Sequence, residues 1–585
     1  MNGFVDYLNS TNNVGGNSAG SLAESQVKST YFDMVKVDRL LGTYITKSVK
    51  SKDYQAYVLT GHAGDGKTSV LVQVLKELEL IHQGEGLLQE QEYNHFYYVK
   101  DMSEIAEINQ MGILQKALEA PQHGKTSMLI SNTGPLLNTF IRLAEYSRKL
   151  NKMPFDEKDR ISLQSKLLTQ LDTNSDEIIE VEGYKFALVN IARVDNVNFS
   201  TEILSKIINP KLWIDCQGCD HAECCPIKNN VDRLLAQKER VLSFINSYYR
   251  YLYENDSRMT IRQMVSQISY AITGNLTCKR IKQSFLKEPF FNYNFANLFF
   301  GYVGLDESRD STQIKGISQI KMLALDRVAL DVDYSLFVNN DYHYFAPEVG
   351  ALLVELHKKH RKHYQVEESN SEQGIGTKLR KAVRRFYLVY STDQREGEIF
   401  NQIFGKYYTL YEQVITAKQS KQVLRNVQSL MFKAMYIKNT GFLPDNANEL
   451  PLTLRREDSV FQNVMLVLGT VSKNDLLIIQ KPIRNRFEDF DTKQELLVRI
   501  KDADFALTLP MLTYFERLVQ GAISSNSNPA LTHGIAKLDT LILDKFGDEL
   551  PESEDDCELR VLINTTNGQE IRSFAFDGNK LSILS

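Results

Sequence analysis

No stretch of about 18 consecutive apolar residues occurs in this chain of 585 residues, so no membrane-spanning helix is expected. The first 21 residues are polar, rich in Asn, Ser and Gly, and lack the apolar core of a signal peptide; they read as flexible. Neither sign of charge dominates. A net charge of −5 argues against wholesale coating by nucleic acid, though it leaves room for a local basic groove. Six cysteines are too few for a disulfide scaffold in so long a chain. No internal repeat has a fixed period, and no nuclease pattern of acids and lysines is visible. Together these absences point to a cytoplasmic protein without a membrane partner, and the length implies about three to five domains.

What is present is concentrated in residues 57–69. Gly61, Gly66, Lys67 and Thr68 complete the pattern G-x-x-x-x-G-K-[ST]. Tyr57, Val58 and Leu59 precede it as a buried strand would, and Val70, Leu71, Val74, Leu75 and Leu78 follow at helical spacing. Strand, glycine loop and helix form the setting in which this motif cradles phosphate. Glycines let the backbone wrap closely, and the first N–H groups of the helix are unpaired and carry partial positive charge. Gly61, His62, Ala63, Gly64, Asp65, Gly66, Lys67, Thr68 and Ser69 are therefore the expected ATP-binding residues. Lys67 is expected on the β/γ-phosphates and Thr68 on Mg²⁺. The competing reading is a glycine turn before an ordinary helix.

Strands alternate with helices over residues 51–200. Apolar runs at Phe96–Val99, Met128–Ile130 and Phe186–Ile191 read as further buried strands, and Lys149–Ile178 reads as a polar insertion or linker. From Asp232 to Gly441 the spacing is mainly helical, with a break at Glu367–Gly376. Strand patterns return after Phe442, Asn567-Gly568 marks a hairpin, and Glu549–Cys557 reads as an acidic loop. The organisation expected is a lead-in (1–50), an α/β core (51–231) carrying a cysteine-rich knuckle (213–230), a helical lid (232–300), a helical domain (301–441) and a mixed α/β or β-rich C-terminal domain (442–585).

Hydrolysis needs an acid on the metal side, a group that orients water, and a cation for developing charge. Asp101 follows the strand Phe96–Val99 and is the best candidate acid, with Glu104 nearby. It lies early for that role, only 34 positions after Lys67, and Asp101-Met-Ser-Glu104 also reads as a helix N-cap. Asn132, after the next strand, suits a sensor of the γ-phosphate. Asp195 is a third candidate acid. Arg262, at the start of a helix in the lid, is the candidate cation from the same chain, and Arg193 and Arg327 could serve a neighbouring subunit. Each arginine has a plain alternative as a surface or ion-paired residue.

Cys216, Cys219, Cys224 and Cys225 fall within ten residues, with His221 among them. A C-x-x-C knuckle with two further soft ligands suits a structural Zn²⁺; free thiols and an iron–sulfur cluster are the alternatives. Cys278 and Cys557 look isolated. Two basic runs, His357–His363 and Lys378–Arg385, could track a phosphate backbone or be solvated helix faces.

The order of these elements is similar to that in AAA-like ATPases of bacterial anti-phage defence. They are Thr60–Ser69, Leu129-Ile-Ser-Asn-Thr-Gly-Pro-Leu136, the cysteine cluster with its Pro-Ile, and Ile261–Gly274. The nearest resemblance is to the DptF (DndF) ATPases of DNA phosphorothioation-dependent restriction, over roughly residues 50–300. The resemblance implies an AAA-like P-loop NTPase domain with a helical lid, and an ATPase that works with DNA and other defence proteins, as a homo-oligomer in one reading. A signalling switch of the STAND kind that never touches DNA, and a scaffold that binds ATP without hydrolysing it, are the rival readings.

Overall fold

A computed structural model describes residues 1–12, 29–82, 86–173, 175–364, 374–444, 447–454, 463–483, 485–489, 493–521, 528–548, 557–565, 568–576 and 581–584. The acidic loop before Cys557, Asn567 of the expected hairpin turn, most of the break at 367–376 and residues 13–21 of the N-terminus lie outside the described residues. Two compact units account for the chain. The first comprises Met1–Tyr253, Ser257–Arg395 and Arg484–Phe490; the second comprises Glu254–Asp256, Glu396–Ile483 and Asp491–Ser585.

The first unit is built on a six-stranded sheet. Its strands are β1 (Ala56–Thr60), β2 (Glu90–Glu92), β3 (Phe96–Val99), β4 (Thr126–Ile130), β5 (Ile178–Val181) and β6 (Tyr184–Asn190), in the order β2-β3-β4-β1-β6-β5. The four central strands are parallel, with Val58 level with Leu129 on one side and Leu188 on the other, and Val99 level with Leu129. The short edge strands β2 and β5 are antiparallel to their neighbours.

Every residue of β1, β3 and β4 is buried, as strands covered on both faces require. Side chains alternate between two apolar layers. Ala56, Val58, Tyr97, Val99, Leu129 and Leu188 face one core; Tyr57, Leu59, Tyr98, Met128, Ala187 and Val189 face the other. Helices α1 (Gly3–Ser10), α2 (Leu40–Ser51), α3 (Lys67–Glu77), α4 (Glu107–Glu119), α5 (Thr133–Leu150) and α6 (Glu157–Thr173) belong to this part of the chain. Leu41, Ile45, Val70, Leu71 and Val74 of α2 and α3 join the second layer; Leu114, Leu136, Phe140, Leu167 and Leu171 of α4, α5 and α6 join the first. Helix α6 replaces the linker expected at 149–178. It buries only Leu167, Gln170 and Leu171, too narrow a stripe to announce a helix.

Because the central strands are parallel, the segments leaving β1, β3, β4 and β6 open on one edge of the sheet, the edge where ligands of such sheets bind. The rest of the unit is mostly helical, including α7 (Pro226–Ala236), α8 (Ile261–Thr273), α9 (Cys278–Gln283) and α10 (Ile375–Tyr390). Among the described residues no helix is long and apolar enough to cross a membrane.

The second unit holds a five-stranded antiparallel sheet and a three-stranded one, Leu476–Pro482, Gln494–Ile500 and Ala503–Ala506. The helices of 396–440 group with these strands. Lys421–Thr440 packs on the strands Glu449–Leu454 and Leu476–Pro482 and on the helix Leu509–Val519.

Candidate functional site

The loop after β1 takes φ values of +90° at Gly64 and +88° at Gly66, where side chains are strained. Gly64 also has no room: a Cβ there would lie 3.0 Å from Thr260 Oγ1 and 3.2 Å from Arg262 Cβ. The start of α8 rests on the loop, and Arg262 N–H donates to the Gly64 carbonyl at 3.3 Å. A reciprocal capping box holds that helix end: Thr260 Oγ1 accepts from Gln263 N–H, and Gln263 Oε1 accepts from Thr260 N–H.

Helix α3 begins at Lys67 with Gly66 as its cap. Lys67 Nζ donates to the carbonyls of Gly61 (2.6 Å) and His62 (3.1 Å) across the loop. Burial holds its pKa below the usual lysine range, an effect opposed by the carboxylates of Asp65 and Asp101 and reinforced by Arg262. Burial likewise lowers Arg262. Lys67, Thr68, Asp101, Glu104, Asn132 and Arg262 all line one cavity of about 320 Å³.

Asp101 meets both of its readings. Its Oδ1 accepts from Ser103 N–H at 2.9 Å, the N-cap bond, while the same side chain faces the cavity and feels Lys67. Its strand β3 is separated from β1 by β4. Ser103 Oγ joins the two strand ends by accepting from Asn132 N–H at 2.7 Å and sharing a hydrogen bond with Ser131 Oγ. Thr68, Asp101 and Glu104 are the oxygen donors that could hold Mg²⁺ in this cavity.

Asp65 is corrected in role. It is fully buried and turned inward, accepting from His62 N–H at 2.8 Å and pairing with Arg258 at 2.6 Å. It shapes the loop and can reach a ligand only through its backbone. Asp195 and Arg193 do not line the cavity: Asp195 is buried against Arg250 at 2.5 Å, and Arg193 pairs with Asp172 at the surface. Arg327 is not among the lining residues either.

The remaining wall was not anticipated. Tyr7 and Thr11 of α1 and its end, and Phe32, Val37 and Arg39, line the cavity from the N-terminal segment. Arg39 pairs with Asp489 at 2.6 Å and donates to the Asp65 carbonyl at 3.4 Å. Only the aromatics at 7 and 32 hint at such a role in the sequence.

The chain matches no protein-family model, no curated protein and no solved structure. The geometry of this chain is therefore the support for its reading.

The cysteines are arranged differently from expectation. Cys216, Cys219, Cys224, Cys225 and Cys278 are free thiols, and among the described residues no group of three or more His, Cys, Asp or Glu is placed to hold a metal ion. Cys224 is exposed, with its Sγ 3.4 Å from the His221 carbonyl. Cys278 is not isolated. Burial raises the thiols of Cys216 and Cys225, and Cys278 adds to both.

The basic run on α10 is partly engaged in ion pairs. Arg385 is fully buried and pairs with Asp326 at 2.9 Å; Arg384 pairs with Asp333 at 2.6 Å, and Lys378 with Asp306 at 2.7 Å. In the other run Lys358 pairs with Glu355, and Lys359 with Glu288.

Proposed function

We propose that the chain is a P-loop, AAA-like ATPase that binds ATP with Mg²⁺ in the cavity at the glycine loop and hydrolyses it. One observation carries this reading. Lys67 and Thr68 from α3, Asp101 from the end of β3, Asn132 from the end of β4 and Arg262 from α8 line a single cavity, although they are spread over nearly 200 positions. Each has the chemistry its place asks for. Lys67 exchanges the two loop carbonyls for phosphate oxygens, and the N–H groups opening α3 donate to the same phosphates. Thr68 and Asp101 would hold the metal, which would supply charge neutralisation on the phosphates. Asn132 orients the γ-phosphate or water, Glu104 supplies a second carboxylate, and Arg262 meets developing negative charge from the helix packed on the loop. Tyr7, Phe32 and Val37 offer an apolar wall for a base.

Coupling to DNA and to other defence proteins rests on the motif order described from the sequence. The test is ATP binding and turnover by the purified protein, with and without double-stranded DNA. Lys67→Ala should abolish ATP binding; retained tight affinity would sink the assignment. Asp101→Asn should bind ATP and lose turnover, and unchanged turnover would move the acid to Glu104. Turnover stimulated by DNA supports a DNA-coupled restriction subunit. Turnover indifferent to DNA favours the signalling switch, and binding without turnover favours the scaffold.

A further inference from the structure

We propose that α9, the loop around Phe285 and the end of the helix Pro347–Tyr364 form a docking surface for double-stranded DNA, with Phe285 as a wedge between base pairs. The proposal rests on the DNA part of the reading above and gives it a place; it does not depend on the nucleotide site. Residues 279–287 carry Lys279, Arg280, Lys282 and Lys287 and no acid, in a chain whose net charge is −5. All four are exposed, and among the described residues none of them pairs with a carboxylate. Glu288, the first acid after them, is engaged by Lys359. That ion pair brings the basic run His357–His363 beside the loop. Lys358 is exposed too, and its pair with Glu355, one helical turn away at 2.9 Å, is of the weak solvent-facing kind. Cations from two segments distant in sequence therefore meet around Glu288.

Phe285 is 96 % exposed, the highest value for a large apolar side chain among the described residues. Slack in the chain does not account for it. Only residues 284–288 separate α9 from the short helix Pro289–Asn292, and both helices are anchored. Ile281 is buried on one side; Phe291 is buried on the other and stacks on Phe386 of α10 with ring centres 5.9 Å apart. Thr277 Oγ1 caps α9 by accepting from Arg280 N–H at 3.2 Å, and Asn292 Nδ2 donates to the Lys287 carbonyl at 2.8 Å. A loop braced at both ends holds a phenyl ring out in water, where burial against a partner is favourable.

The choice of duplex follows from the number of rings. Single strands are held on several aromatic rings set along a groove, and a membrane surface is entered by a broad apolar face. Here one ring stands among cations, with Lys279, Arg280 and Lys282 before it and Lys287 after it. Cations on phosphates and a lone apolar wedge opening a base step are the means by which proteins grip and bend duplex DNA without reading its sequence. Residues 274–277 alone join α9 to α8, the helix whose near end rests on Gly64.

The test is binding of the full-length protein to a duplex of mixed sequence over a series of salt concentrations, with donor and acceptor dyes at the duplex ends to read bending. The wild type should bind and bend the duplex. Lys282→Glu combined with Lys287→Glu should lose about tenfold in affinity or more, and should flatten the slope of log affinity against log salt by about two. Phe285→Ala should keep the slope and lose the bend; Phe285→Leu should keep both, since leucine also serves as a wedge. Thermal unfolding of these variants should match the wild type, because the replaced side chains are exposed. A destabilised Phe285→Ala would show the ring already packed and would overturn the proposal. No duplex binding by the wild type would overturn both this surface and the DNA reading. Duplex binding that the variants leave intact would overturn this surface alone. A preference for phosphatidylserine vesicles over duplex, lost in the same variants, would assign the surface to a membrane instead.

Discussion

Asp65 stands where the loop pattern accepts any residue, yet it is fully buried and balanced by Arg258. Removing one partner of a buried pair leaves a charge without compensation, at a cost of roughly 3–5 kcal/mol. Arg258→Met should therefore lower the stability of the first unit by that order in urea unfolding, and Asp65→Asn placed in the same chain should recover part of it. The sequence shows why a lysine, a threonine and three glycines stand in this loop. It does not show that Asp65 faces inward, because its partner lies nearly 200 residues on. The same limit hid Tyr7, Phe32 and Arg39, and made Cys278 look solitary. A different residue sets an acid limit. The Arg395 guanidinium, with help from its own N–H and from Tyr387 O–H, holds the Asp393 carboxyl down to about 2. A depressed carboxyl contributes stability above its unfolded value and loses it as the folded value is approached. Stability should thus fall as pH drops from about 4 towards 2, and Asp393→Asn should flatten that part of a pH series of urea melts.

Among the elements, β1, β3, β4 and β6 were legible as apolar runs, and α3, α5, α8 and α10 as helical spacing. The edge strands escaped notice because Glu90–Glu92 is charged and Ile178–Val181 is short, and α6 because its buried stripe is three residues wide. Strand order was not legible either: nothing in the spacing of Asp101 reveals that β4 lies between its strand and β1. Helix α8 matters beyond its own stability, since its capped end bears on the glycine loop. Thr260→Ala removes the cap and should cost about 1 kcal/mol. Because Arg262 N–H bonds the Gly64 carbonyl, the same variant should weaken ATP binding, whereas Thr260→Ser should change neither reading. Helix α10 shows how a basic run can mislead. Its Arg385 and Arg384 are engaged by Asp326 and Asp333, so replacing them should reduce thermal stability. The salt dependence of any DNA binding should stay the same, and a flatter slope in those variants would restore α10 as a phosphate track.

At the scale of the whole molecule, the first unit is not one continuous stretch. Residues 484–490 rejoin it between two stretches of the second unit, Glu396–Ile483 and Asp491–Ser585. Phe487 is fully buried in the layer with Leu41, Ile45 and Tyr57; Asp489 neutralises buried Arg39, and Arg486 donates to the Asp176 carbonyl at 2.7 Å. Phe487→Ala should destabilise the first unit by roughly 3–5 kcal/mol in chemical denaturation. From the sequence the helices up to 441 read as part of a helical domain 301–441 and the strands from 442 as a C-terminal domain; nothing in their spacing reveals that seven residues, 484–490, return to the first unit. That return has a consequence for synthesis. Domains ordinarily fold as they emerge, the N-terminal one first. Here the wall of the glycine-loop cavity includes Arg39, whose counter-charge is among the later residues made. A ribosome that has released Arg395 holds a nascent chain whose first core still lacks its last piece, so for a time the oldest part of the protein must wait for one of the youngest.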